Sequence, residues 1–168
     1  MEKYCVHAYI GEGKGKSTAA AGLCLRALGA GKSAALVQLL KQGSSENAML
    51  EKLGARIIAP VESKFVWDMD EEEKRRAAEK IEAALRQAED IAADGCEIII
   101  FGEILGACEE GLVGAERLIE LTRLGAEVVF TGRKLPHELY AYCDYISEIL
   151  PIAHPFSKGG TARKGIEF

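Results

Sequence analysis

The stretch YIGEGKGKSTAAAG, residues 9–22, decides how the rest of the chain is read. An apolar run enters it, a glycine-rich turn carries Lys14, Lys16, Ser17 and Thr18, and a run of small helix-forming residues leaves it. Strand, glycine loop and helix in that order make an anion cradle. Glycines let main-chain N–H groups converge on phosphate oxygens, Lys16 adds a point charge, Lys14 adds a second, and the Ser17 hydroxyl can ligate Mg²⁺. The spacing departs from the common pattern G-x-x-x-x-G-K-[ST]. Five places before Gly15 stands Ile10; the available glycine is Gly11, with only three residues between. The loop is shortened, which bears on the phosphates it holds.

Outward from the loop, short apolar runs rich in β-branched residues alternate with longer helical patterns. That alternation predicts a P-loop NTPase-like (RecA-like) α/β fold, a mostly parallel sheet covered by helices. The predicted strands are 4–10, 33–40, 56–59, 97–101, 127–131 and 145–150. Between them, residues 70–93 read as a helix with Ala77, Ile81, Ala84, Leu85, Ala88 and Ala92 on one face. The acidic run 70–73 at its start suits the positive end of the helix dipole.

With 168 residues and 48% hydrophobic content, the chain is expected to form a single domain spanning 1–168. Its 21 basic and 26 acidic side chains leave a net charge of −5, which offers no general field for nucleic acid or an anionic membrane. The N-terminal apolar run enters the glycine loop without a cleavage region, and no run approaches a membrane span, so a cytoplasmic protein is expected. The five cysteines are scattered without metal-like spacing and read as buried reduced thiols.

A nucleotide site of this kind needs an acidic group at the end of a neighbouring strand, within reach of a metal. EIIIFGEIL supplies Glu103 there, and EVVFTGRKLP ends with Arg133 placed to clamp phosphate oxygens. The closing HPFSKGGTARKGIEF, rich in glycine and basic residues, reads as a loop rather than strand or helix, either ordered over a ligand or frayed.

The segments GEGKGKSTAAAGLCLRALGAGK, ALVQLLK, KFVWDMD, EIIIFGEIL, VVFTGRKLPHELY and HPFSKGGTARKGIEF occur in the order seen in ATP:corrinoid adenosyltransferases of the CobA/CobO/BtuR type. The chain resembles that family over nearly its whole length. The resemblance implies transfer of the 5′-deoxyadenosyl group of ATP to the Co(I) of a reduced corrinoid, with release of triphosphate, in adenosylcobalamin biosynthesis or salvage. It also implies Mg²⁺ as cofactor, ATP and cob(I)alamin or a corrinoid precursor as substrates, a homodimer, and a flavoprotein reductant as partner. In this family the altered loop is taken to hold ATP reversed, so that the ribose C5′ faces the corrinoid. Because Co(I) is a strong nucleophile with no proton to lose, the reaction needs no general base.

Position by position, Gly11, Glu12, Gly13, Lys14, Gly15, Lys16, Ser17 and Thr18 match the family's phosphate loop. Arg26, by itself a helix-surface residue, matches an arginine implicated in nucleotide binding. Phe65 and Trp67, by themselves readable as core aromatics, match the F-x-W that packs on the corrinoid's lower face and keeps its axial base off the metal. Lys14, Lys16 and Arg133 are the implied catalytic charges, and Ser17 with Glu103 the implied metal ligands.

The chain departs from its family in four places. Gly102-Glu103 replaces the usual Asp-Glu, Ser17 the usual threonine, and Glu12 the asparagine of several members. The chain also begins at its first strand, without the N-terminal helical extension of some members, which puts part of the corrinoid cover in question. An aspartate restored at position 102 is expected to lower the Mg²⁺ requirement, provided the backbone there does not need glycine. Two alternatives stay open: a non-catalytic ATP- and corrinoid-binding paralogue, and a conventional P-loop hydrolase or kinase.

Overall fold

The apolar runs become six strands. The computed structural model describes residues 4–40, 44–60, 66–155 and 159–166. In chain order the elements are β1 (Val6–Ile10), α1 (Lys16–Gly29), β2 (Ala34–Gln38), α2 (Ser45–Lys52), β3 (Arg56–Ile58), a 3₁₀ turn (Val66–Asp68), α3 (Glu71–Ala93), β4 (Ile98–Gly102), α4 (Ile104–Glu109), α5 (Ala115–Leu121), β5 (Glu127–Thr131), a second 3₁₀ turn (His137–Tyr142) and β6 (Tyr145–Glu148). The strands form one sheet in the order β3-β2-β4-β5-β1-β6, and every pair is parallel.

A parallel sheet is buried on both faces, so its central strands are apolar throughout rather than alternating. β4 meets that demand with Ile98, Ile99, Ile100 and Phe101, all buried. Ile98 and Ile100 join α1 through Ala20, Cys24 and Ala27. On the opposite face Ile99 and Phe101 meet Ala77, Ile81, Ala84, Leu85 and Ala88 of α3. Each large side chain so buried contributes roughly 1.5–3 kcal/mol. Phe101 and Phe130 pack with ring centroids 5.7 Å apart.

α3 starts where the acidic run predicts, and for a more specific reason than the dipole. The Asp70 carboxylate accepts from the Glu73 amide at 2.8 Å, and the Glu73 carboxylate accepts from the Asp70 amide at 2.9 Å. The two side chains satisfy amides that a helix start leaves without partners. β1 begins two residues later than expected because side chains take over the pairing. The Cys5 amide donates to Glu127 and the Val6 amide to Asp144. β6 ends at Glu148 because the Ile149 carbonyl turns to accept from Gly13. The short helices α4 and α5, of six and seven residues, are too brief for a helical period to mark them in the sequence.

Cys24 and Cys96 are buried as expected, while Cys5, Cys108 and Cys143 are only half-buried. All five are free thiols, and burial pushes Cys143 up to about 11. No described helix is long and apolar enough to cross a membrane. β1 and β2 are separated in the sheet by β5 and β4, so α1 crosses over between them. In open parallel sheets of this kind ligands bind at the carboxyl ends of the strands.

Candidate nucleotide and metal site

The loop between β1 and α1 wraps around a neighbour, and the neighbour explains its glycines. A Cβ on Gly11 would run into the Ile149 carbonyl oxygen, and one on Gly13 would lie 2.6 Å from the same atom. A Cβ on Gly15 would make only an ordinary contact, 3.9 Å from Ile149 Cδ1, but its φ of 125° is one that side-chain-bearing residues rarely adopt. The Gly11 amide donates to the Arg133 carbonyl at 2.8 Å and the Gly13 amide to the Ile149 carbonyl at 2.7 Å. These two amides are engaged by the protein, so the loop's N–H groups do not all converge on an anion. The later half of the loop runs into α1, which Lys16 opens.

Lys16 is half-buried and its Nζ donates to the Gly13 carbonyl at 2.8 Å, so the lysine folds back along the loop. Lys14, Glu12 and Thr18 are exposed. Arg133 brings its Nε to 3.6 Å from the Glu12 carboxylate, and its main chain holds Gly11. An exposed pair of this kind adds little stability but keeps the guanidinium beside the loop.

At the carboxyl end of the sheet, the Ser17 hydroxyl and a Glu103 carboxylate oxygen stand 3.5 Å apart. Glu103 adopts a left-handed conformation, φ 61° and ψ 18°, as it caps α4. Strain of that kind persists where the surroundings enforce it. Here the Thr131 hydroxyl, fully buried at the end of β5, accepts from the Glu103 amide at 2.9 Å. Gly132 lets β5 pass α4, since a Cβ there would collide with Leu105. Among the described residues no three His, Cys, Asp or Glu side chains form a cluster able to cage a metal. A hydroxyl facing a carboxylate nevertheless fits Mg²⁺, which takes one or two protein oxygens and fills its octahedron with water and phosphate.

Other predicted residues lie apart from this cluster. Arg26 sits in the last turn of α1, ten residues after Lys16 and so about 15 Å along the axis, exposed and close to Tyr9. Burial pushes the Tyr9 phenol up, and the Arg26 charge pulls against it. Trp67 is 72% exposed in the 3₁₀ turn, while its neighbour Val66 is buried. That rules out a core role for Trp67. Phe65 lies outside the described residues, as do positions 156–158, 167 and 168 of the closing motif. His7 is bonded to Glu127 at 2.6 Å and stacked on Tyr145, which is a structural use.

Sequence reasoning passed over Gln38, Thr131 and Ile149. The first two carried a signal: polar residues inside otherwise apolar strands that the fold buries. Ile149 acts through its main chain, which no side-chain pattern reveals.

Sheet order, crossover and loop together place the chain in the P-loop NTPase-like class of α/β proteins. The family described as ATP:corrinoid adenosyltransferase BtuR/CobO/CobP matches residues 2–168, and the chain belongs to that family. It is 30% identical to a corrinoid adenosyltransferase of Pseudomonas aeruginosa over 95% of this chain and 81% of the relative. It is 28% identical to the corrinoid adenosyltransferase of Escherichia coli and to corrinoid adenosyltransferase CobA of Salmonella typhimurium, each over 99% of this chain and 87% of the relative.

Proposed function

We propose that this protein transfers the 5′-deoxyadenosyl group of ATP to the cobalt of a reduced corrinoid. The observation that carries the reading is family membership along residues 2–168, and the loop, Ser17 and Glu103 at one end of the sheet support it. In the reaction the Co(I) electron pair forms the bond to C5′, the C5′–O bond breaks, and triphosphate leaves with that bond's electrons. No proton moves in this step, so the enzyme's work is alignment and stabilisation of charge on the leaving group.

Lys16, Lys14 and Arg133 are the cations for that charge, and the amides from Gly15 to Thr18 are its cradle. Ser17 and Glu103 would hold Mg²⁺ together with the phosphates; the ion supplies further neutralisation of the triphosphate. Glu12 keeps Arg133 beside the loop. Arg26, about ten residues along α1 from the cradle, is assigned to nucleotide binding on the family likeness alone. Trp67, with Phe65, is assigned to the lower face of the corrinoid: a large apolar ring 72% in solvent fits a surface that a ligand covers. A cytoplasmic homodimer, with a flavoprotein as the partner that reduces the corrinoid cobalt to Co(I), completes the reading, on the family likeness alone.

The test is an anaerobic assay with ATP, Mg²⁺ and chemically reduced cobalamin. Adenosylated corrinoid and triphosphate in equal amounts support the proposal. ADP and phosphate would make the protein a hydrolase or kinase, and binding of both substrates without product a non-catalytic paralogue.

A further inference from the structure

Backbone strain and buried polarity gather at the carboxyl end of the sheet. Among the described residues, the non-glycine positions with positive φ are Leu40 at 53° and Glu103 at 61°. The buried polar side chains there are Gln38 and Thr131. All four stand at the carboxyl ends of the adjacent strands β2, β4 and β5, or just beyond them. Thr131 has its task, since it accepts from the Glu103 amide. Gln38 flanks the same turn from the other side.

Gln38 pairs in register with Gly102, and the next residue, Leu39, donates its amide to the Gly102 carbonyl at 2.9 Å. The Gln38 side chain is 2% exposed and its Nε2 donates to the Leu39 carbonyl at 3.2 Å. A Cβ on Gly102 would stand 3.0 Å from both Nε2 and Oε1 of that carboxamide. The φ of Gly102 is not in the left-handed region, so what a side chain here would meet is a limit of room and not of conformation: the carboxamide would have to give by a few tenths of an ångström. The missing side chain and the carboxamide are two halves of one arrangement.

We propose that Gln38 is a positioning residue for Glu103: its carboxamide lies over Gly102, where an acidic side chain would begin, and holds the turn that aims Glu103 at Ser17. Residues 38 and 102 therefore work as a pair. The proposal rests on the ATP and Mg²⁺ reading above. A neutral amide satisfies the buried strand end without setting a second negative charge beside Glu103. It also revises the expectation for position 102. An aspartate there presses on the carboxamide and obliges it to shift, so it helps the metal more when residue 38 is shortened as well.

The test uses the full chain, with ATP binding read by calorimetry across a Mg²⁺ titration and in a chelator, and with thermal melting. Gln38→Met keeps the length of the side chain and removes the amide. It is expected to raise the Mg²⁺ needed for half-maximal ATP binding by roughly 10-fold or more, as loss of an outer metal partner does. ATP binding in the chelator should stay at the parent level, which a general loss of structure would not allow. A parent-like Mg²⁺ requirement overturns the positioning role. In the second arm, Gln38→Ala is made in the parent and in Gly102→Asp. It should lower Tm in the parent and raise it in Gly102→Asp; equal lowering in both overturns the pairing. A parent that binds no ATP at any Mg²⁺ concentration sinks the nucleotide reading instead, and the melting cycle still decides whether residues 38 and 102 are coupled.

Discussion

The Gly13 amide donates to the Ile149 carbonyl at 2.7 Å, tying the middle of the phosphate loop to the segment that follows β6. A side chain on Gly13 would sit 2.6 Å from the Ile149 oxygen and 2.8 Å from its carbon, both main-chain atoms that cannot swing aside. Gly13→Ala should therefore cost about 1–3 kcal/mol of stability, the usual range for overpacking, and weaken ATP binding with it. Gly22 is the control, because a Cβ there meets nothing within 4 Å and it lies inside α1. Gly22→Ala should stabilise by about 0.5–1 kcal/mol through helix propensity alone. Thermal melting of the two variants checks both signs.

Lys16→Ala removes a cation that folds along the loop onto the Gly13 carbonyl. Charge-assisted contacts are worth about 1.5–3 kcal/mol, so ATP affinity should fall by a factor of about 10 or more in a folded protein. Unchanged affinity by calorimetry would remove Lys16 from the phosphate site.

Trp67→Ala should leave stability within about 0.5 kcal/mol of the parent, because the ring is 72% exposed and supports no core. Under the function proposed above, its effect falls on the corrinoid. The reaction should suffer far more when it starts from Co(II) than when Co(I) is supplied, with ATP binding unchanged. Equal losses in both assays would make Trp67 a general support and not the residue that keeps the axial base away.

Arg117, on α5 with its side chain 18% exposed, bonds to Glu82, Glu89 and Glu120. The hydrogen bond from Arg117 holds the Glu89 carboxyl below its ordinary value of 4.5. A depressed carboxyl gives stability that is complete above its unfolded value and lost as the pH falls through its folded value. Arg117→Ala should cost about 1.5–3 kcal/mol at neutral pH. The difference from the parent should shrink as the pH is taken well below 4.5, and a gap that stays constant in acid would mean that Arg117 acts by packing alone.

The sequence by itself determined the sheet and the loop. Apolar runs such as Ile98 to Phe101 have no stable place except between two helical layers, and a glycine turn between a strand and a helix creates an anion site from main-chain dipoles. Local pattern carries that information, so five of the six strands could be placed within two residues at their starts and the sixth, β5, matched at both ends. Trp67 is the intermediate case: its motif was legible, but only the fold showed that the ring stands in solvent. Other features depended on residues far apart in the chain. The Gly13 amide is engaged by Ile149, Glu103 is held left-handed by Thr131, and Gly102 lies under Gln38. Each is a contact between strand ends that are neighbours only in the sheet order β2-β4-β5-β1-β6, and no local periodicity encodes which strands lie side by side. Tertiary structure alone decided those pairings, because a buried polar group can be satisfied only by whatever the fold happens to bring within hydrogen-bond reach.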